Sequence, residues 1–236
     1  MSTAAPIHDQ TIGFSFGTAT RSAYYARPEG AGPFPGVVVI HEAYGLNENI
    51  KDIARRFARE GYAALAVDLF AERNRAVCMA RFISSQLLST TLKYNGLSEV
   101  KAALSFLAEQ PEVDGERVGA IGFCMGGAIA IAWACTDQRL KAIAPFYGAN
   151  PRPLAAAARA CPIVGSYPEK DFSASLGRKL DAALEQYDIP HDIKVYPGAK
   201  HSFFNDQGHA YDAAASADAW QRILAFFGER IKRAEA

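Results

Sequence analysis

Short blocks of continuous or alternating apolar residues take turns along this chain with longer blocks in which they recur every three to four positions. Residues 11–16 and 21–26 alternate, and the second block stops at Pro28, so together they predict an antiparallel hairpin at the edge of a sheet. Residues 36–40 form an unbroken apolar run, the pattern of a strand buried on both faces. Ile50, Ile53, Ala54, Phe57 and Ala58 follow at helical spacing, and that helix closes at Gly61. Residues 63–67 read as the next buried strand, ending at Asp68. A less regular stretch, 69–95, carries Arg73, Arg75 and Arg81 and has no clear period. Val100, Ala103, Leu104 and Leu107 then mark one face of a helix broken at Pro111.

Strands are predicted at 117–123, 140–146, 162–167 and 193–196. Between them lie a small-residue helix after position 124 and a helix with Leu176, Leu180, Ala183 and Leu184 in register. The last helix has the apolar face Trp220, Ile223, Leu224, Phe227 and Ile231. Strands that alternate with helices imply a mostly parallel central sheet with helices on both faces, an α/β architecture. No internal repeat, low-complexity tract or linker divides the sequence, so a single domain over residues 1–236 is expected.

Composition narrows the possibilities. The 236 residues are half hydrophobic, and 25 basic residues balance 25 acidic ones. That balance offers no footprint for nucleic acid or a membrane surface. The segment Met1 to Gln10 lacks the basic start and apolar core of a signal peptide, and the longest apolar run, 128–135, is too short to span a bilayer. A cytoplasmic location is expected. Cys78, Cys124, Cys135 and Cys161 show neither CxxC pairing nor metal-ligand spacing and read as reduced thiols. Cys135 and Cys161 fit small buried hydrophobes; Cys78 falls in the irregular stretch and stays open.

The chemistry concentrates at Gly122-Phe123-Cys124-Met125-Gly126-Gly127, where a β-branched run leads through a glycine-flanked cysteine into a helix. This is the pattern of a nucleophile elbow with sulfur in place of the usual hydroxyl. Glycines are needed at Gly122 and Gly126 because the helix passes too close for side chains. The turn presents the sulfur at the positive end of a helix, where a thiolate is favoured. An open parallel sheet gathers its functional residues at the carboxyl ends of its strands. Glu42, Cys124, Asp171 and His201 all lie at or just past such ends. The order nucleophile, acid, histidine is that of the α/β-hydrolase triad. Asp171 is also placed to cap the helix that starts near Phe172, and the two roles are compatible. His41 reads as a structural hydrogen-bonding residue, and His8, His191 and His209 carry no signal. Tyr44, Tyr94, Tyr147 and Tyr167 either line a pocket or only pack.

Taken together, His41 to Asn47, Val67-Asp68-Leu69, the Cys124 turn, Phe146-Tyr147-Gly148, Glu169-Lys170-Asp171 and Gly198 to Phe203 resemble the dienelactone hydrolase family, a cysteine-dependent branch of the α/β-hydrolases. The resemblance runs in order from about residue 36 to the final helix and implies the α/β-hydrolase fold. It implies that Cys124 attacks an ester or enol-lactone carbonyl, that His201 partners the thiolate and later activates water, and that Asp171 fixes the imidazole tautomer. It further implies an oxyanion hole from the backbone N–H groups of Met125 and Ala43. Glu42 is implied to help activate the thiol; a carboxylate beside the sulfur opposes thiolate formation, so the resting thiol would be mostly protonated. No metal or organic cofactor is implied. The expected partner is a small ester or lactone, and the expected assembly a monomer or small homo-oligomer.

One position departs from the family pattern. Members that take the carboxylated dienelactone carry an arginine four residues after the histidine; here Asn205 stands there and lacks the guanidinium fork. Rival readings are a carboxylesterase or thioesterase on unrelated small esters, and a non-catalytic binding module on the same scaffold. A dinucleotide site fails on spacing, because Cys124 occupies the second glycine position of G-x-G-x-x-G. A zinc site from His41, Glu42 and His201 has no paired-ligand motif behind it.

Overall fold

The computed structural model describes residues 5–71 and 73–232. Residues 1–4 of the N-terminal segment, Glu72 of the irregular stretch and residues 233–236 lie outside it. The chain opens with β1 (Ile7–Phe16) and β2 (Ala19–Pro28), the expected hairpin extended at both ends. Then follow β3 (Phe34–Ile40), α1 (Glu48–Arg59), β4 (Ala63–Val67), α2 (Arg75–Leu88), α3 (Leu97–Ala108), β5 (Val113–Phe123) and α4 (Met125–Ala134). After these come β6 (Leu140–Phe146), β7 (Ile163–Lys170), α5 (Ser173–Gln186), β8 (His191–Lys200) and α6 (Ala213–Phe227). The strands form one eight-stranded sheet in the order β1-β2-β4-β3-β5-β6-β7-β8. Only the β1–β2 and β2–β4 pairs are antiparallel; every other neighbour is parallel.

Strand alternation sorts the apolar residues into two cores, one on each face of the sheet. Val38, Ile40, Leu65, Val67 and Ala120 pack beneath α3, α4 and α5. Val37, Val39, Ala64, Ala66, Ile121 and Phe123 face α1 and α6 through Ile53, Phe57, Trp220, Ile223 and Phe227. All ten residues of α4 are buried, the condition of a helix apolar all round.

The 69–95 stretch is a correction, because residues 75–88 are helical rather than irregular. Asn74 caps α2, its side chain accepting from Ala76 N and Val77 N at 2.9 and 3.2 Å. Only Cys78 and Phe82 are buried, while Val77, Ile83, Leu87 and Leu88 are exposed. Apolar residues on every side erase the stripe that marks an amphipathic helix. At about 1.5–3 kcal/mol per buried large side chain, α2 is anchored far more weakly than α1, whose buried face includes Ile50, Ile53 and Phe57.

The turn from β5 into α4 is set by three bare glycines. A Cβ on Gly122 would lie 2.2 Å from Gly126 O, one on Gly126 would lie 2.4 Å from Ile40 O, and one on Gly127 would lie 2.6 Å from Phe146 O. Contacts that short with backbone leave nothing flexible to move aside. The missing side chains let the first turn of α4 rest against the ends of β3 and β6. Gly122→Ala should therefore lower unfolding stability by about 1–3 kcal/mol or more, measured by urea denaturation. An unchanged midpoint would contradict the close-approach reading.

Candidate active site

Five neighbouring strands deliver polar residues to one end of the sheet. Glu42 follows β3, Cys124 follows β5, Tyr147 follows β6, Asp171 follows β7 and His201 follows β8. Three of the residues gathered here adopt left-handed backbone conformations that side chains rarely take: Cys124 (φ 53°), Tyr147 (φ 39°) and Ser202 (φ 63°). Cys124 is held in that state from both sides. Its N–H donates to Phe146 O at 3.0 Å, and its carbonyl accepts from Ala128 N at 3.0 Å.

His201 and Asp171 meet as the sequence anticipates, with Nδ1 of His201 2.8 Å from Oδ2 of Asp171. The same oxygen accepts from Ser173 Oγ at 2.5 Å, a contact the sequence did not reveal. Phe172 occupies the cap position of α5, and the Asp171 carboxylate also accepts from the Ser173 backbone N–H at the start of that helix. Burial alone would raise the Asp171 carboxyl, but hydrogen bonds from His201 and Ser173 outweigh it and hold the group below the usual carboxylate range. Burial likewise works against a charged His201, yet its hydrogen bonds with Cys124 and Asp171 prevail and lift it to about 9. Cys124 and Asp171 thus both favour the charged form of the ring. The loop carrying His201 is anchored by two phenylalanines that follow Ser202. The rings of Phe203 and Phe204 pack against Phe146 at 5.8 and 4.7 Å. The Tyr147 ring lies 4.7 Å from that of His201.

Glu42 is buried, with 3% exposure, and its oxygens are both engaged. Ser202 Oγ donates to Oε2 and Asn205 Nδ2 donates to Oε1, each at 2.9 Å. Asn205 is 7% exposed and serves as Glu42's partner, with its own Oδ1 accepting from Gln207 N at 3.1 Å. His41 is structural, as expected. Its Nε2 accepts from Leu69 N at 3.0 Å, which leaves the proton on Nδ1 to donate to Glu42 O at 2.6 Å. Burial pushes its imidazole down, toward the neutral form this pairing needs.

Met125 is the first residue of α4, and Gly126 draws the loop holding Ala43 against it. Among the described residues, neither the Met125 N–H nor the Ala43 N–H donates a hydrogen bond. Both N–H groups are therefore left without a backbone acceptor. Among the described residues no group of three or more His, Cys, Asp or Glu side chains is placed to hold a metal. Cys78 and Cys135 are buried, Cys161 is partly so, and none is paired. No helix among the described residues is long and apolar enough to cross a membrane.

The sequence profile of the dienelactone hydrolase family matches residues 22–231. The chain belongs to the dienelactone hydrolase family. A relative from Saccharolobus solfataricus, assigned as a carboxymethylenebutenolidase, is 35% identical over 86% of this chain and 92% of its own. Another of the same assignment from Synechocystis sp. is 33% identical over 89% and 92%. The crystal structure of a dienelactone hydrolase-like promiscuous phosphotriesterase from metagenomic libraries superposes with a TM-score of 0.84 at 29% identity, covering 95% of this chain and 98% of that one. This dienelactone hydrolase family member therefore has the α/β-hydrolase fold and is a hydrolase.

The coupling within the site has a direct spectroscopic consequence. The His201 imidazole should titrate at about 9 and should shift to lower pH in Cys124→Ala, because one of the groups that favours its charged form is gone. NMR titration of labelled histidine checks this. Identical titration curves in the two proteins would show that the sulfur and the ring do not interact.

Proposed function

We propose that this chain hydrolyses small ester or enol-lactone bonds of the carboxymethylenebutenolide type through a Cys124–His201–Asp171 triad and a thioester acyl-enzyme. The observation that supports this best is His201, bound to Asp171 at 2.8 Å and drawn toward its charged form by Cys124 as well, with the sulfur at the start of a helix.

In this reading the Cys124 sulfur forms a bond to the carbonyl carbon, and the oxygen that gains charge is received by the N–H groups of Met125 and Ala43. Each such donor is worth about 3–4 kcal/mol when removed from comparable enzymes. As the tetrahedral species collapses, the C–O bond to the leaving group breaks and His201 passes its proton to the departing oxygen. His201, now neutral, takes a proton from water as the water attacks the thioester, and the acid and the free thiol are released. Asp171 keeps the ring in the tautomer that points Nε2 at the sulfur. A thiolate leaves more readily than an alkoxide or an amide nitrogen, so forward collapse needs a substrate with a good leaving group. Enol-lactones and activated esters meet that demand, and peptides do not. Glu42 would assist the thiol while held by Ser202 and Asn205, since each carboxylate oxygen keeps a further lone pair.

Cys124→Ala should abolish turnover of activated aryl esters, and His201→Ala should come within about tenfold of the same loss. Asp171→Asn should cut the rate by about a thousandfold or more while leaving the circular dichroism spectrum intact. Wild-type-like rates in either of the first two variants would refute the assignment. The same assays on lactones, aryl esters and thioesters rank this reading against a plain carboxylesterase or thioesterase.

A further inference from the structure

We infer that the cavity between α2 and α3 is a second ligand site, built for a small molecule with two or more negative charges, and that its occupant fastens α2 to the body of the protein. The cavity is about 580 Å3, within the range of pockets that hold small ligands. It lies apart from the candidate active site, since none of Glu42, Ala43, Cys124, Met125, Asp171 and His201 borders it. Three cations do border it: Arg81 from α2, Lys93 from the connection and Lys101 from α3. Among the described residues no carboxylate pairs with any of them. Glu99 is the acidic residue on the wall, and both of its oxygens are engaged. One receives Arg73 at 3.3 Å and the other the Ser98 hydroxyl at 3.1 Å. Lys101 spends one of its three donors on the Thr136 carbonyl at 3.1 Å. Like charges that share a cavity repel one another, so an entering anion relieves that repulsion as well as forming its own bonds. A single negative charge would leave most of this excess unanswered, which is why the wall calls for a polyanion, either a phosphate or a polycarboxylate.

An anion in this place would bridge two helices of unequal anchorage. α2 buries only Cys78 and Phe82, whereas α3 buries Leu97, Val100, Ala103, Leu104 and Leu107. Bonds from Arg81 to an anion that Lys101 also holds would give α2 a third point of attachment, one of charge rather than apolar area. The start of α3 adds two donors to the same wall. Its cap residue is Gly96, which has no side chain to offer, and among the described residues the N–H groups of Ser98 and Glu99 donate no hydrogen bond. The other face of α2 looks toward the start of α4. Cys78 and Phe82 border a smaller cavity together with Leu69, Phe70 and Met125. α2 therefore stands between the cationic cavity and the residue that follows Cys124.

Calorimetric titration of the intact protein with pyrophosphate and with citrate tests this. At least one of the two should bind at a single site per chain, and the tighter one tells whether phosphate or carboxylate chemistry is preferred. Arg81→Ala and Lys93→Ala should each weaken that probe about tenfold, the worth of one charge-assisted hydrogen bond. Both side chains are exposed, so neither change should disturb the fold. Lys179→Ala, which removes an exposed lysine of α5, should leave the affinity unchanged. Added salt should weaken binding as well. At about ten times its Kd the tighter probe should slow amide hydrogen exchange in α2 about tenfold, and Arg81→Ala should remove that protection at the same concentration. Failure of both probes to bind, an equal loss in Lys179→Ala, or binding that adds no protection to α2 would overturn the inference. These readouts do not involve ester turnover, so a negative result here leaves the hydrolase reading standing.

Discussion

The contact of the first turn of α4 with the ends of β3 and β6, through glycines that carry no side chain, is the constraint on which the site depends. Gly126 lies where any Cβ would strike the Ile40 carbonyl, and Gly127 where one would strike Phe146 O. That approach brings the Met125 N–H and the Ala43 loop to the same place, and it forces Cys124 into a left-handed conformation. Strain of about 1–3 kcal/mol at such a residue persists only where the surroundings over-determine it. Two backbone hydrogen bonds and three crowded glycines do so here. The partly exposed sulfur and the free N–H donors are two consequences of one packing event.

The rest of the molecule supplies the sulfur's partners by quite different means. Asp171 and His201 arrive on the adjacent strands β7 and β8, so their pairing follows from sheet order. His201 is then steadied by apolar packing, since Phe203 and Phe204, two and three residues on, bury themselves among Phe123, Phe146 and Tyr147. Glu42 is steadied by polar contacts only. Its backbone carbonyl is fixed by the neutral His41, and its carboxylate by Ser202 and Asn205. The histidine is thereby locked in position, while the glutamate is held by bonds that can exchange.

Much of this was legible in the sequence, for reasons that differ by element. The strands at 63–67 and 140–146 have the predicted bounds because unbroken apolar runs meet sharp polar stops. β7 and β8 run on to Lys170 and Lys200, past the predicted ends at 167 and 196, because Pro168, Pro197 and Gly198 break the apolar runs and Glu169, Lys170 and Lys200 are polar and exposed. Cys124, Asp171 and His201 could be nominated because a parallel sheet has few strand ends and the elbow glycines are distinctive. Ser173, Ser202 and Asn205 could not. Each acts through a hydrogen bond to a residue whose position depends on the fold; Ser202 reaches a carboxylate 160 positions away. The helix at 75–88 escaped for the opposite reason. Its local cap at Asn74 was readable, but its apolar residues face every direction and form no stripe.

Trapping the acyl group is the most direct test of the central claim that the strained sulfur is the atom that attacks. Wild-type protein mixed with an activated aryl ester and quenched in acid within a single turnover should gain the mass of one acyl group. Peptide mapping should place that mass on Cys124, and the adduct should outlast the wild-type one in His201→Ala. Turnover with Cys124 unmodified throughout, or an acyl group found on another side chain, would contradict the account.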